Sequence, residues 1–392
     1  MTADITFTWI TSIASITQSE WDSCYDEGNV VNCYDLTRTL EGANFADTQF
    51  HYLLGRQDGE LKLALPCFLY HTHLDVIAAP ALGKFCSWVR KFFPNFFCLR
   101  ALIAGSPIAI CTDSFGIAKI KDSELDTVLT QVKHALTDKA KELKCQLVVL
   151  KELEEQKLTR LGNPFKPEFM FVPSMPCAYI ELPKGAPHYA ERLRSDYRSK
   201  YSRRIKKSQE AGICWRMVTD FSNLAEDLHK LYSQVLQRSA SNFNALTPDL
   251  FRQLGFNLRD RCFVQIAKRD EKILSFALVL TNANDLYPLY LGLDYAFRDE
   301  GALYYNTCYK LIEEAERRDN SSLFLGQTAY HPKASLGARF RKLYLAIQPL
   351  TKCMAVVIGA FATILFPEIT PPQFNVFKVE RASPSLAPNC LD

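Results

Sequence analysis

YLGLDYAFRDEGALYYNTCYKLIEEAERR (residues 290–318) and SLFLGQTAYHPKASLGARF (residues 322–340) stand almost back to back near the end of the chain. The first opens as a strand and becomes a helix from Gly301. The second opens as a short apolar strand, residues 323–325, and then empties into Gly326, Gln327, Thr328, Tyr330, His331, Pro332 and Lys333, with a further glycine at Gly337. Turn geometry asks only for Gly, Pro, Asn or Asp. So many hydrogen-bonding and titratable groups just past a strand end mark a candidate site, because open α/β sheets bind ligands there.

The pattern extends outward from this pair. Residues 261–294 read as three strands, residues 223–240 and 247–256 as helices, and 213–220 as a strand. A helix rich in Arg and Lys is expected over about 187–211, stopped by Gly212. Residues 340–349 read as a last strand. In the first half, residues 49–57 and 60–72 read as paired strands joined at Asp58-Gly59, a strong hairpin signal. Residues 123–144 keep Leu125, Val128, Leu129, Val132, Leu136, Ala140 and Leu143 on one helical face, and 145–153 follow as a buried strand. The proline-rich residues 162–176 suggest a boundary. The expected division is a degenerate module over 1–165, a catalytic module over 176–350, and an apolar segment with an irregular proline-rich tail over 351–392, poorly packed beyond Thr370. The halves share an order of elements, which hints at duplication without a residue-level repeat.

The chain has 392 residues, 48% hydrophobic and 23% charged, with a net charge of +3. That length exceeds one core, and that charge confines any polyanion site to a local patch. Thirteen cysteines show no CxxC pair and no metal-ligand spacing, which fits a reducing cytoplasm and gives no metal site. The first residues predict no secretory leader. Residues 353–366 are apolar but fewer than the roughly 20 a spanning helix needs; they read as a core or interface helix. Residues 83–99, with Trp88, Phe92 to Phe97 and three cations, suit either a buried aromatic helix or a membrane surface. The motifs GxSxG, HExxH and the P-loop lysine are missing.

Residues 178–349 resemble the acetyltransferase-like modules of the Fem-type peptidyltransferases within the GNAT superfamily. The resemblance rests on the two quoted stretches and on the run Gly326, Tyr330, Lys333, which is similar to a Gly-x-x-x-Tyr-x-x-Lys pattern. It implies an α/β fold of tandem GNAT-like modules with mixed sheets, the C-terminal one better formed. It also implies a cleft between splayed fourth and fifth strands, and transfer of an acyl or aminoacyl group to an amine. The donor implied is acyl-CoA or aminoacyl-tRNA, with no permanently bound cofactor. The acceptor is a small amine or peptide, and tRNA, a membrane surface or a second copy are conceivable partners. The superfamily's phosphate loop is matched at Arg298 and Gly301, with Ala302 next, whereas Leu303 replaces a small residue and is expected to crowd a pyrophosphate.

The residues give the same site independent content. A helix start at Gly301 and Ala302 favours phosphate, and Arg298 is suited to a bidentate contact. Residues 192–207 carry eight Arg or Lys and one Asp, so Arg203, Arg204 and Lys207 suit a phosphate, a tRNA backbone or a lipid surface. Tyr197 and Tyr201 either stack on a base or pack internally. For direct amide formation, His331 is the natural base, Tyr330 a candidate acid, and Lys333 or a strand N–H a candidate oxyanion holder. Gln327 lies beside them, Asp294 is placed to orient the amine, and residues 237–248 suit an acceptor lid. A non-catalytic binding or scaffold protein on this fold is the alternative.

Overall fold

A computed structural model describes residues 5–43, 48–73, 98–238 and 246–378. The aromatic stretch before Leu99, including Phe92 to Phe97, therefore lies outside the described residues, as do most of the expected lid and the chain beyond Lys378. The first half contains β1 Thr6–Ile10, α1 Gln18–Asp22, α2 Tyr34–Gly42, β2 Gln49–Gln57, β3 Glu60–His73, β4 Cys98–Ala104, α3 Asp122–Glu142, β5 Leu147–Glu154, α4 Glu155–Phe165 and β6 Met170–Pro173. The second contains β7 Cys177–Glu181, α5 Tyr189–Arg192, α6 Ser195–Glu210, β8 Cys214–Val218, α7 Ala225–Leu236, α8 Pro248–Leu258, β9 Cys262–Arg269, β10 Lys272–Thr281, β11 Asp285–Leu293, α9 Leu303–Arg317, β12 Ser322–Gly326, α10 Tyr330–Ala334, β13 Arg339–Arg341, β14 Leu343–Pro349 and α11 Lys352–Leu365. Local chemistry sets several of these limits. Asp58 and Gly59 both take positive φ and close the β2–β3 hairpin between the partners Gln57 and Glu60. Thr247 accepts the Leu250 N–H, and Pro248 occupies the first turn of α8.

Two seven-stranded mixed sheets result, in the orders β1-β2-β3-β4-β5-β14-β6 and β8-β9-β10-β11-β12-β7-β13. The orders are equivalent, but one strand has been exchanged. β7 follows the first sheet in sequence yet pairs between β12 and β13 of the second. β14 follows the second sheet yet pairs between β5 and β6 of the first. The expected single strand over 340–349 is thus two strands in different sheets, and residues 176–350 do not close on themselves. The sequence pattern concealed this because only Lys342 separates the two strands and no turn residue marks the change.

A shared core reinforces the exchange. Trp21, Leu36 and Tyr52 of the first half form one buried cluster with Phe221, Phe251 and Phe276 of the second. Each such side chain contributes about 1.5–3 kcal/mol through burial. Asn257 also donates to the Thr39 hydroxyl at 2.9 Å across the same junction.

The basic helix is shorter than its composition suggests. It breaks between α5 and α6 because Leu193 bridges Phe377 in extended pairing. The tail beyond Thr370 is correspondingly packed as far as Lys378: Val376 is buried among Leu193 and Leu336. Helix α11 buries Ile358 but exposes Val356, Phe361 and Ile364, so it is a surface helix rather than a core one. Among the described residues, no helix is long and apolar enough to cross a membrane.

The exchanged strands and common core make the two sheets one cooperative unit. Calorimetry should give a single unfolding transition with matching calorimetric and van't Hoff enthalpies. Two resolved transitions would mean that the sheets fold separately.

Candidate active site between parted strands

Strands β11 and β12 are parallel neighbours for only two pairs, Asp285 with Ser322 and Leu286 with Leu323. Beyond them β11 continues along β10 to Leu293, and β12 continues along β7 to Gly326. The sheet therefore splits. Pro288 sits just past the last pair and has no N–H to extend the ladder. The rings of Tyr287 and Phe324 stack at the fork, 4.9 Å apart and 3° from parallel. In the first sheet the equivalent strands stay paired as far as Ala104 and Leu150. There Lys151 donates to the Ser106 and Ile108 carbonyls, both at 2.8 Å, and fastens the following loop to β5. Only the second sheet offers a gap among the described residues.

At the far end of β11 lies a cavity of about 610 Å³ lined by Arg203, Arg204, Lys207, Arg298, Asp299, Ala302, Tyr304 and Tyr305. Five of the six residues expected to hold a donor meet here. Ala302 takes a left-handed conformation, φ 48°, and opens α9. Leu303 N–H bonds to the Arg298 carbonyl; the N–H groups of Tyr304 and Tyr305 have no acceptor among the described residues. Such orphan donors and the helix dipole favour an anion. From α6, the Arg204 guanidinium lies 3.4 Å from the Tyr305 ring centroid and donates to the Tyr309 hydroxyl at 2.8 Å. Asn306, buried beneath, donates to the carbonyls of Gly301 and Arg204 at 2.7 and 2.8 Å, tying the two walls together.

Three expectations need correction. Gly301 does not make room for a ligand: a Cβ there would meet Ile213 Cδ1 at 2.1 Å. Leu303 does not crowd the cavity, because its side chain is fully buried against Ile213, Leu274 and Leu293. Arg298 holds Asp299 through two hydrogen bonds, at 3.0 and 2.8 Å. Those bonds, with help from Lys207, keep the Asp299 carboxyl below its usual range. Tyr201 packs edge-on to Tyr309 and donates to Glu313, so it is internal.

The expected catalytic cluster is arranged differently from its proposed chemistry. Gln327 Nε2 donates to the Met175 carbonyl at 3.0 Å, and the Tyr330 hydroxyl to the Pro176 carbonyl at 3.1 Å. Burial raises the Tyr330 hydroxyl to about 12. Lys333 reaches back from α10 to the carbonyls of Gly326 and Gln327, at 3.1 and 2.7 Å. These donors frame a turn in which Gly326, Thr328 and Ala329 all have positive φ, a strained state for Thr. His331 is exposed, with its ring edge on Phe374. Asp294 is not gathered with them; it pairs with Lys272 at 2.8 Å and accepts the Ala296 N–H.

Sequence reasoning missed the far side of the fork. A crevice of about 350 Å³ between the two halves is lined there by Asp26, Glu27, Glu154, Asp285, Tyr287, Phe324 and Arg341, among others. Arg341 pairs with Glu154 at 3.1 Å. Burial pushes the Asp285 carboxyl up, although the Tyr287 hydroxyl donates to it at 3.2 Å. Side chains alternate along a strand, and Leu286 and Leu323 pack towards α9. Tyr287 and Phe324 therefore face the crevice. Pro288 inside a strand was the available signal.

Burial lowers Lys333 to about 8. With the folded pKa below the unfolded one, the unfolded chain binds more protons between about pH 8 and 10.4. Stability contributed by Lys333 therefore rises across that window. Relative to Lys333→Met, the wild type should gain roughly 1–3 kcal/mol from pH 8 to 10.5 in denaturant titrations. A difference that is flat with pH would show that Lys333 is not desolvated.

Comparisons with known proteins bear on this arrangement. No curated protein matches the chain in sequence. Among solved structures, FemX is similar with a TM-score of 0.57 at 11% identity, covering 90% of this chain and 99% of its own. The tandem GNAT protein from the clavulanic acid biosynthesis pathway gives 0.52 at 11%, covering 88% and 98%. The L-PGS of Bacillus licheniformis gives 0.50 at 11%, covering 88% and 100%. At such identity these likenesses establish the fold, tandem GNAT-like modules. The profile of the FemAB-like family, described as peptidoglycan biosynthesis/recognition, matches residues 121–326, more than half of the chain. The chain belongs to the FemAB-like family.

Proposed function

We propose that the protein transfers an acyl or aminoacyl group from a phosphate-bearing donor to an amine, forming an amide by direct attack. The observation that carries this reading is the cationic cavity at the start of α9, placed at the end of a strand that has parted from its neighbour. The donor's phosphates bind Arg203, Arg204, Lys207 and the orphan N–H groups of Tyr304 and Tyr305. Its acyl arm runs along the free edge of β11 into the fork. There main-chain N–H groups of β11 that lack a β12 partner polarise the carbonyl. Family membership and the FemX, L-PGS and tandem GNAT likenesses support acyl or aminoacyl transfer as the class of reaction.

The acceptor enters from the opposite face. Asp26, Glu27 and Asp285 make the crevice acidic, which attracts an ammonium ion. Asp285, with its carboxyl raised by burial, takes a proton from that ammonium. The neutral nitrogen attacks the carbonyl, the bond to the donor's sulfur or ribose oxygen breaks as the tetrahedral intermediate collapses to amide, and the proton shed by the nitrogen passes to that departing thiolate or alkoxide. Asp285 replaces His331 as base in this scheme, since His331 lies on α10 against Phe374. A binding role on the same fold is the second reading, favoured by the engagement of Gln327, Tyr330 and Lys333 with main-chain carbonyls.

Binding isotherms for CoA and for charged tRNA, each at 50 and 200 mM salt, test the donor. Arg204→Ala and Lys207→Ala should each weaken the true donor by about tenfold or more. A tRNA donor should lose affinity steeply with salt, at about 0.7–0.9 log units per phosphate contact and log unit of salt; a CoA donor should lose far less. Neither ligand binding a folded protein would remove the transferase reading. In a turnover assay, Asp285→Asn should lower kcat by about 10²-fold or more, while His331→Ala should stay near wild type. The reverse pattern would restore His331 as base.

A further inference from the structure

Cys111 and Cys177 come from opposite halves of the chain and pack together. Cys111 lies on the loop between β4 and α3, and Cys177 opens β7. With Phe324 and Leu343 they form one small buried cluster, against which Tyr179 and Tyr287 pack. The Cys111 thiol hydrogen-bonds to the Cys177 sulfur, and both cysteines are free. The pair therefore sits beside the Tyr287–Phe324 stack that closes the fork.

Both main chains are fixed around the sulfurs. On either side of Cys111, the Ile110 N–H donates to Glu152 at 3.2 Å and the Thr112 hydroxyl to Glu154 at 3.1 Å, both on β5. Cys177 is paired with Arg341 in the β7–β13 ladder. Cys111 itself has φ 60°, a left-handed conformation uncommon outside Gly, Asn and Asp. Strain of this kind persists only where the surroundings over-determine it, and it collects at functional positions. Two thiols in hydrogen-bond contact already have their Cβ atoms turned towards each other, which is the main geometric demand of a disulfide.

Access to the two sulfurs is unequal. Cys111 is part of the lining of the acidic crevice, whereas Cys177 is fully buried. The hydrogen bond to Cys177 and burial hold the Cys111 thiol well above its usual range, and the Lys333 ammonium acts against them. Only the thiolate reacts, so oxidation is slow and calls for an oxidant small and uncharged enough to enter an acidic crevice. Hydrogen peroxide meets both conditions.

We propose that Cys111 and Cys177 form a reversible disulfide, a redox clasp that fastens the first-half wall of the crevice to β7. The oxidant is a hydroperoxide. The Cys111 sulfur attacks one peroxide oxygen, the O–O bond breaks, and the departing hydroxide leaves as water with the thiol's proton. Cys111 is then a sulfenic acid. The Cys177 sulfur attacks the Cys111 sulfur, the S–O bond breaks, and a second water leaves with the Cys177 proton. The two thiols give up two electrons and the peroxide accepts them. A dithiol reductant reverses the change. The proposal stands apart from the transfer reaction and does not need it.

The test uses the reduced, native full chain. It is treated with hydrogen peroxide, its remaining thiols are blocked with N-ethylmaleimide, and it is digested with trypsin without reduction. Residues 101–119 and 161–184 are tryptic peptides with a single cysteine each. They should be recovered joined, and dithiothreitol should part them. Because the bond closes a long loop of the unfolded chain, the melting temperature should rise by roughly 3–8 °C on oxidation and return on reduction. Cys111→Ala and Cys177→Ala should each abolish that rise. In Cys177→Ala, dimedone should label Cys111, because no second thiol resolves the sulfenic acid. Should a variant fail to fold, the peptide map of the wild type decides alone. The proposal is overturned if the two peptides stay separate after the exposed Cys214 and Cys353 have reacted, or if they join only in denaturant. It is also overturned if Cys111 pairs with a different cysteine, or if the 111–177 bond forms and the melting temperature does not rise.

Discussion

The fork between β11 and β12 is the constraint on which the rest of the site depends. A parallel ladder that continued past Leu286 and Leu323 would bury every main-chain group of both strands and leave no passage between the faces of the sheet. Three features hold the fork open. Pro288 withholds a donor where the ladder would continue. The Tyr287–Phe324 stack wedges the closed end. β12 is drawn the other way by β7, which pairs with it along its length. β7 opens the second half directly after β6 of the first sheet, so the fork's geometry is set where the chain passes from one sheet to the other.

That exchange also explains the asymmetry of the two halves. The first sheet takes β14 from the end of the second half and is incomplete without it, whereas the second sheet is built from the continuous run β7 to β13. The first sheet keeps its fourth and fifth strands paired and secures the loop after them with Lys151 and Glu152, which accepts the Ile110 N–H. It then serves as the opposite wall of the acidic crevice. Two faces of opposite charge result, a cationic cavity beside α9 and an acidic crevice beside the first half, with the fork between them. An anionic donor and a cationic acceptor suit those two approaches on Coulombic grounds.

The sequence made some of this legible. The hairpin at Asp58-Gly59, the three strands β9 to β11 and the helix–strand pair after them follow from periodicity and turn chemistry, which are local. Arg203, Arg204, Lys207, Arg298 and Ala302 were recognisable because charge density and a helix start are also local, and folding brought α6 beside α9. What stayed hidden was non-local. Nothing in residues 340–349 signals that the chain changes sheets at Lys342. Nothing beside Gly301 or Leu303 signals that Ile213 fills the space next to them. Gln327, Tyr330 and Lys333 drew notice as reactive types, yet their partners are carbonyls, two of them on the distant residues Met175 and Pro176. Composition identifies donors; only the fold says what they are donating to.

Residue-resolved hydrogen exchange of β11 tests the central claim most directly. Amides of residues 287–293 that face away from β10 should exchange freely in the unliganded protein, and slow at least tenfold when the bound donor, CoA or charged tRNA, occupies the fork. Strong protection of those same amides without ligand would mean that β11 and β12 are joined, and the passage on which the transfer reading rests would not exist.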